Sequence, residues 1–155
     1  MVRFSDNHSS RRQAMAECCG NKQPRKSESA SCCGAKGGKT VLLYACSGGA
    51  NVAEISDQAA RELMFEGRGA MFCLAGLGAD IQGMVQTARD ADVNLLIDGC
   101  PMDCAKKTFD RHGITNYRQI KVTDLGIEKA KGVRCTRDQV DKVVAKAREI
   151  LADEK

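Results

Sequence analysis

Tryptophan is absent from this 155-residue chain, which has only two tyrosines and four phenylalanines. So few aromatics argue against a stacking platform for single-stranded nucleic acid, and nucleic acid is not an expected partner. No stretch approaches the ~18 consecutive apolar residues of a bilayer span, so no membrane partner is expected either. Residues 1–30 are polar and lack the apolar core of a signal peptide, which points to the reducing cytoplasm. Histidine is nearly absent. His8 sits in the polar N-terminal segment, and His112 stands just before Gly113, where a helix C-terminus favours a basic side chain. No Ser-His-Asp arrangement follows from these two positions.

Cysteine, by contrast, is abundant. Nine cysteines cannot all pair within one chain. In a reducing compartment such clusters read as metal-binding or catalytic groups. The charge is also unevenly placed. Residues 1–39 hold 8 Lys/Arg against 3 Asp/Glu, and residues 40–155 hold 16 against 17. Residues 1–39 lack apolar periodicity and are expected to be a flexible basic tail. Within them A-x-C-C-G-x-K occurs twice, at Ala16–Lys22 and Ala30–Lys36. Cys18, Cys19, Cys32 and Cys33 could capture a soft ion there, or be reactive thiols without a role.

Residues 40–155 are expected to form a single α/β domain. Apolar runs at 40–46, 70–76 and 93–100 read as strands, and the alternating 117–123 as a fourth. Helical stripes lie between them: Val52, Ile55, Ala59 and Leu63; Ile81, Met84, Val85 and Ala88; Met102, Ala105 and Phe109. A last helix opens at Thr136 or Asp138 and carries Val140, Val143, Val144, Ala147 and Leu151. Asn51 or Ser47 suits the cap of the first helix, and Pro101 the first position of the third, making Cys100 its N-cap. Alternation of this kind predicts a three-layer α/β/α fold around a four-stranded parallel sheet. The order 2-1-3-4 places the continuous apolar strands 1 and 3 inside and the alternating strand 4 at an edge.

That fold gives the cysteines a place. Cys46, Cys73 and Cys100 fall at or near the carboxyl ends of strands 1, 2 and 3, beside the crevice where such sheets bind ligands. Strands about 4.8 Å apart suit thiolates about 3.8 Å apart around a tetrahedral zinc. Cys104 adds a fourth sulfur from the following helix. Zinc is the expected ion, with other soft metals as alternatives. Each cysteine alone could equally be a small buried apolar residue. Cys135 reads as a structural or spare thiol, or as a further ligand. Asp98 orients the turn, and Asp103 suits a helix's first turn.

Several enzyme templates fail. A C-x5-R phosphatase loop would need arginine where Val52 stands. A thioredoxin pair needs C-x-x-C, whereas Cys100 and Cys104 are C-x-x-x-C. Ile81 breaks a G-x-G-x-x-G match, and "GAKGGKT" is too short for a phosphate loop and precedes a strand. A redox alternative survives, with Cys100 as nucleophile and Cys104 as resolving thiol.

The segments "YACSGGANVAEISDQAAREL", "MFCLAGLGADI" and "IDGCPMDCAKKTFDRHGI" resemble the DGC-domain family of small prokaryotic proteins. The resemblance spans roughly residues 40–150 and takes its name from Asp98-Gly99-Cys100. It implies zinc binding through four cysteines, which map onto Cys46, Cys73, Cys100 and Cys104. It supplies a metal and no reaction, leaves protein partners unknown, and does not reach the two CCG repeats.

Overall fold

A computed structural model of the chain describes residues 39–152. The expected tail and its CCG repeats fall on residues 1–38, outside the described residues.

Four parallel strands form one sheet: β1 (Val41–Ala45), β2 (Ala70–Met71), β3 (Val93–Asp98) and β4 (Tyr117–Lys121). Their order is β2-β1-β3-β4, as the hydrophobic patterns predict. β1 pairs with β3 from Val41↔Val93 to Ala45↔Ile97, and β3 with β4 from Asn94↔Tyr117 to Asp98↔Lys121. Every residue of β3 is buried, while β4 alternates, as a central and an edge strand should.

The period of two sorts these side chains onto two faces. Leu43, Leu95 and Ile97 pack with helix α1 (Asn51–Phe65) and helix α5 (Arg137–Ala152). Leu42, Tyr44 and Leu96 pack with α2 (Leu74–Gly78), α3 (Gln82–Asp90) and α4 (Cys104–Arg111). Each fully buried leucine or isoleucine contributes about 1.5–3 kcal/mol. The three layers therefore follow directly from alternation in the strands and 3.6-residue stripes in the helices.

The local differences from the sequence reading cluster at the carboxyl edge. β2 has two residues rather than seven. The Phe72 N–H still bonds the Leu43 carbonyl at 2.8 Å, and the chain then turns into α2, which buries Leu77. Cys73 is consequently the N-cap of that helix. The N-cap of α1 is Ala50, with no side-chain cap, and Asn51 is already helical. β3 stops at Asp98, so Cys100 lies two residues past the strand. α4 starts at Cys104, after Asp103 in the left-handed region (φ 51), and not at Pro101. Cys100 is therefore not a helix cap. Its carbonyl instead accepts the Asp103 N–H at 3.1 Å, closing a turn over Cys100–Asp103. Of the two expected openings of α5, Thr136 stands directly before the helix, and the Gln139 side chain accepts its N–H at 3.0 Å.

Candidate functional site

Cys46 follows β1 directly. Its N–H bonds the Ile97 carbonyl at 3.0 Å, which continues the ladder one residue past the strand. Its side chain is buried, 7 % exposed. The Gly99 N–H donates to Cys46 Sγ at 3.0 Å, and the thiol lies 3.7 Å from Ser56 Oγ on α1. Burial pushes the Cys46 thiol's pKa up. The Gly99 N–H and the Ser56 hydroxyl oppose that shift, and the neighbouring Asp98 and Cys104 add to it.

Asp98, Gly99 and Cys100 each have a distinct physical task. Asp98 is 1 % exposed at the end of β3. Its carboxylate accepts the N–H groups of Ala105 at 2.8 Å and Lys106 at 3.1 Å. It also accepts Gln119 Nε2 at 2.9 Å. A strand-end carboxylate thus caps α4, which fixes where that helix begins. Gly99 has no room for a side chain, since a Cβ there would lie 2.9 Å from the Val52 carbonyl oxygen. Its hydrogen lets α1 come close enough to set the Gly99 N–H against Cys46. Cys100 is partly buried, and Lys129 Nζ lies 3.3 Å from its sulfur. Asp103 holds its left-handed conformation, which aspartate tolerates better than most residues. Gln119 Nε2 at 2.9 Å and Lys121 Nζ at 3.3 Å hold its carboxylate.

Lys129 comes from an irregular strap between the 3-10 turn Val122–Leu125 and α5. Asn51 docks this strap. Its Nδ2 donates to the Glu128 carbonyl at 2.9 Å, and its Oδ1 accepts the Ala130 N–H at 2.7 Å. The Asn51 backbone N–H bonds the Ala130 carbonyl at 3.0 Å, and Ala50 bridges Lys131. Farther along, Glu54 Oε2 accepts the Cys135 N–H at 3.0 Å. At the start of α1 the strap satisfies the Asn51 N–H and the Ala50 carbonyl accepts those of Ala53 and Glu54, without a side-chain cap.

These segments enclose a cavity of about 430 Å³ at the carboxyl edge of the sheet. Cys46, Cys100 and Cys104 line it together with Gly48, Lys129 and Lys131. Cys73 does not line it, and is exposed at the start of α2. Near Cys73 the fully buried Tyr44 hydroxyl has no hydrogen-bond partner among the described residues. Burial, then the nearby Cys73 sulfur, raise its pKa. Cys135 packs beside the α1–α5 core, away from the cavity lining, and burial and the Glu54 carboxylate raise its thiol. His112 spans two helices, its Nε2 lying 2.8 Å from the Leu77 carbonyl and 3.5 Å from the Asp80 carboxylate. Three predicted sulfurs therefore share one cavity. Among the described residues, no three His, Cys, Asp or Glu side chains already stand in a metal-holding arrangement. Thiols around one cleft can bind a soft cation, or act as nucleophiles beside the positive charge of the lysines.

Lys129, Lys131 and the strap-docking role of Asn51 escape sequence reading. Lys129 is 29 positions from Cys100 and in no motif with it. Asn51 carries the usual cap signature, and only the folded strap shows its other use.

The DGC-domain sequence profile matches residues 42–147. The chain is 31 % identical over 110 residues to the anaerobic and virulence modulator AnvM of Pseudomonas aeruginosa. That match covers 71 % of this chain and 84 % of AnvM. No solved structure matches the chain. No helix among the described residues is long and apolar enough to cross a membrane. The chain belongs to the DGC-domain family.

Proposed function

We propose that this DGC-domain protein is a small regulatory protein that binds a soft metal ion, zinc first, in the cleft between Gly48 and the Lys129 strap. The observation carrying this reading is that Cys46, from the end of β1, and Cys100 and Cys104, from the turn into α4, line one cavity. The donor set fits such an ion, since thiolates favour zinc and softer cations. The buried Cys46 also fits, because a cation would offset the burial that disfavours its thiolate, and the Gly99 N–H already faces the sulfur. Cys46, Cys100 and Cys104 would hold the ion, and the fourth donor would be Cys73 or a group from outside the protein. Bound there, the ion would tie β1, the Asp98–Cys104 turn and α4 together. A regulatory role is in keeping with the modulator name of AnvM.

Metal analysis under reducing conditions tests this reading. Cys18, Cys19, Cys32 and Cys33 are first replaced by Ser so that the tail cannot contribute. About one equivalent of zinc is expected in that chain, and less than half of it in Cys46→Ser or Cys100→Ser. A parent that holds no zinc, even after zinc is supplied, overturns the reading.

The ammonium of Lys129 beside Cys100 Sγ favours one alternative, a thiol redox role with Cys100 as nucleophile and Cys104 as resolving thiol. Rapid alkylation of Cys100 alone in the metal-free chain supports that alternative. Equal protection of Cys46, Cys100 and Cys104 counts against it.

A further inference from the structure

We infer that the cleft takes a small monoanion with a soft donor atom, of which a low-molecular-weight thiolate is the natural class, as the exchangeable fourth ligand of its metal. This rests on the reading above and adds a ligand to it.

The first support is the count of donors. Three sulfurs line the cavity, Cys104 from an exposed position at the start of α4, whereas Cys73, exposed at the N-cap of α2, lies outside the lining. A tetrahedral ion held by three protein donors keeps one position open to solvent or ligand.

The second support is charge. Three thiolates around a divalent ion leave a net charge of about −1. Lys129 and Lys131 bring two positive charges to the same lining. Neither lysine forms a salt bridge among the described residues, although carboxylates elsewhere pair with Arg61, Lys106, Arg111 and Arg137. Within the lining, a neutral fourth ligand would leave a surplus positive charge that a monoanion would balance, while the Asp98 carboxylate behind it is taken up by the Ala105 and Lys106 N–H groups and Gln119.

The third support is construction. The two lysines flank Ala130, whose N–H and carbonyl are both held by Asn51. Nζ of Lys129 already lies 3.3 Å from the Cys100 sulfur, so an anion beside that sulfur is within the same ammonium's reach. The cavity of about 430 Å³ is larger than a bare ion needs and of the size that admits a small organic ligand.

The test uses the full chain with Cys18, Cys19, Cys32 and Cys33 replaced by Ser and loaded with cobalt(II) as a spectroscopic stand-in for zinc. Thiocyanate is titrated as the monoanionic probe and imidazole as the neutral one, followed by the visible cobalt bands. Thiocyanate is expected to shift those bands. The Lys129→Gln/Lys131→Gln chain is expected to bind it at least ~10-fold more weakly while binding imidazole within ~2-fold of the parent. Cobalt uptake by the double variant serves as its folding control. Equal thiocyanate affinity in parent and double variant overturns the inference. So does a loaded parent that ignores thiocyanate, and a Cys73→Ser chain that gains the response would then identify Cys73 as the fourth ligand. Failure of the parent to take up cobalt overturns the metal reading itself and this inference with it.

Discussion

Cys46 and Cys73 follow adjacent strands of one parallel sheet, yet their surroundings are opposite. Cys46 is buried, accepts the Gly99 N–H and shares a cavity with two other thiols. Cys73 is exposed at the start of a five-residue helix. Strand adjacency brings two backbones near each other, but the segment after each strand decides where the sulfur goes. β1 runs on one more residue in register and then loops to α1, whereas β2 stops early and turns into α2. A carboxyl edge therefore nominates residues for a site, and the loops leaving it select among them.

The strongest way to break this contrast is Asp98→Ala. It leaves the Ala105 and Lys106 N–H groups and Gln119 without their buried acceptor. A loss of about 3 kcal/mol is expected in chemical denaturation, with Cys46 becoming as reactive as Cys73. Next is alkylation of the metal-free parent. Cys73 should react at least ~100-fold faster than Cys46, because modification of a buried thiol waits for local opening; mass mapping against time measures the ratio. Gly99→Ala presses a Cβ against the Val52 backbone and is expected to cost about 1–3 kcal/mol. It should raise Cys46 reactivity and leave Cys73 unchanged. Asn51→Ala releases the strap at a cost of about 1–2 kcal/mol, and limited proteolysis should cut near Glu128–Lys131 first.

The smallest effect is on pH dependence. The Cys46 and Cys135 thiols and the Tyr44 hydroxyl are all raised in the folded chain. Acids of this kind contribute their full stability below their unfolded values, about 8.5 for a thiol and 10 for a phenol. That stability is lost as pH climbs toward the folded values. Unfolding midpoints of the metal-free chain should therefore be flat between about pH 6 and 8 and decline gently above that range. Replacing Cys135 with Ala should lessen the first part of that decline and leave the share that comes from Cys46.

The pattern that gave the sheet order was readable because it is local and repeated. Leu42/Leu43 and Leu95/Leu96 alternate between two cores, and Val140, Val143, Val144 and Ala147 mark one helix face. The start of α4 departs from the sequence pattern for an equally physical reason. Pro101 is a good first helical residue, but Asp98 supplies the cap from the strand behind it and starts the helix three residues later. β2 is shorter than its apolar run because Phe72 through Gly76, though apolar enough for a strand, must turn to dock Leu77.

By itself, then, the sequence determined the α/β class, the sheet order and the family, all of which follow from periodicity and short motifs along the chain. It also marked Asp98-Gly99-Cys100 as the centre of interest. Only the tertiary structure decided what each of those three residues does and which cysteines face one another. It also brought Lys129 to Cys100. Those facts depend on where strand ends, caps and a long strap meet in space, and contacts between segments far apart in the chain leave no period to read.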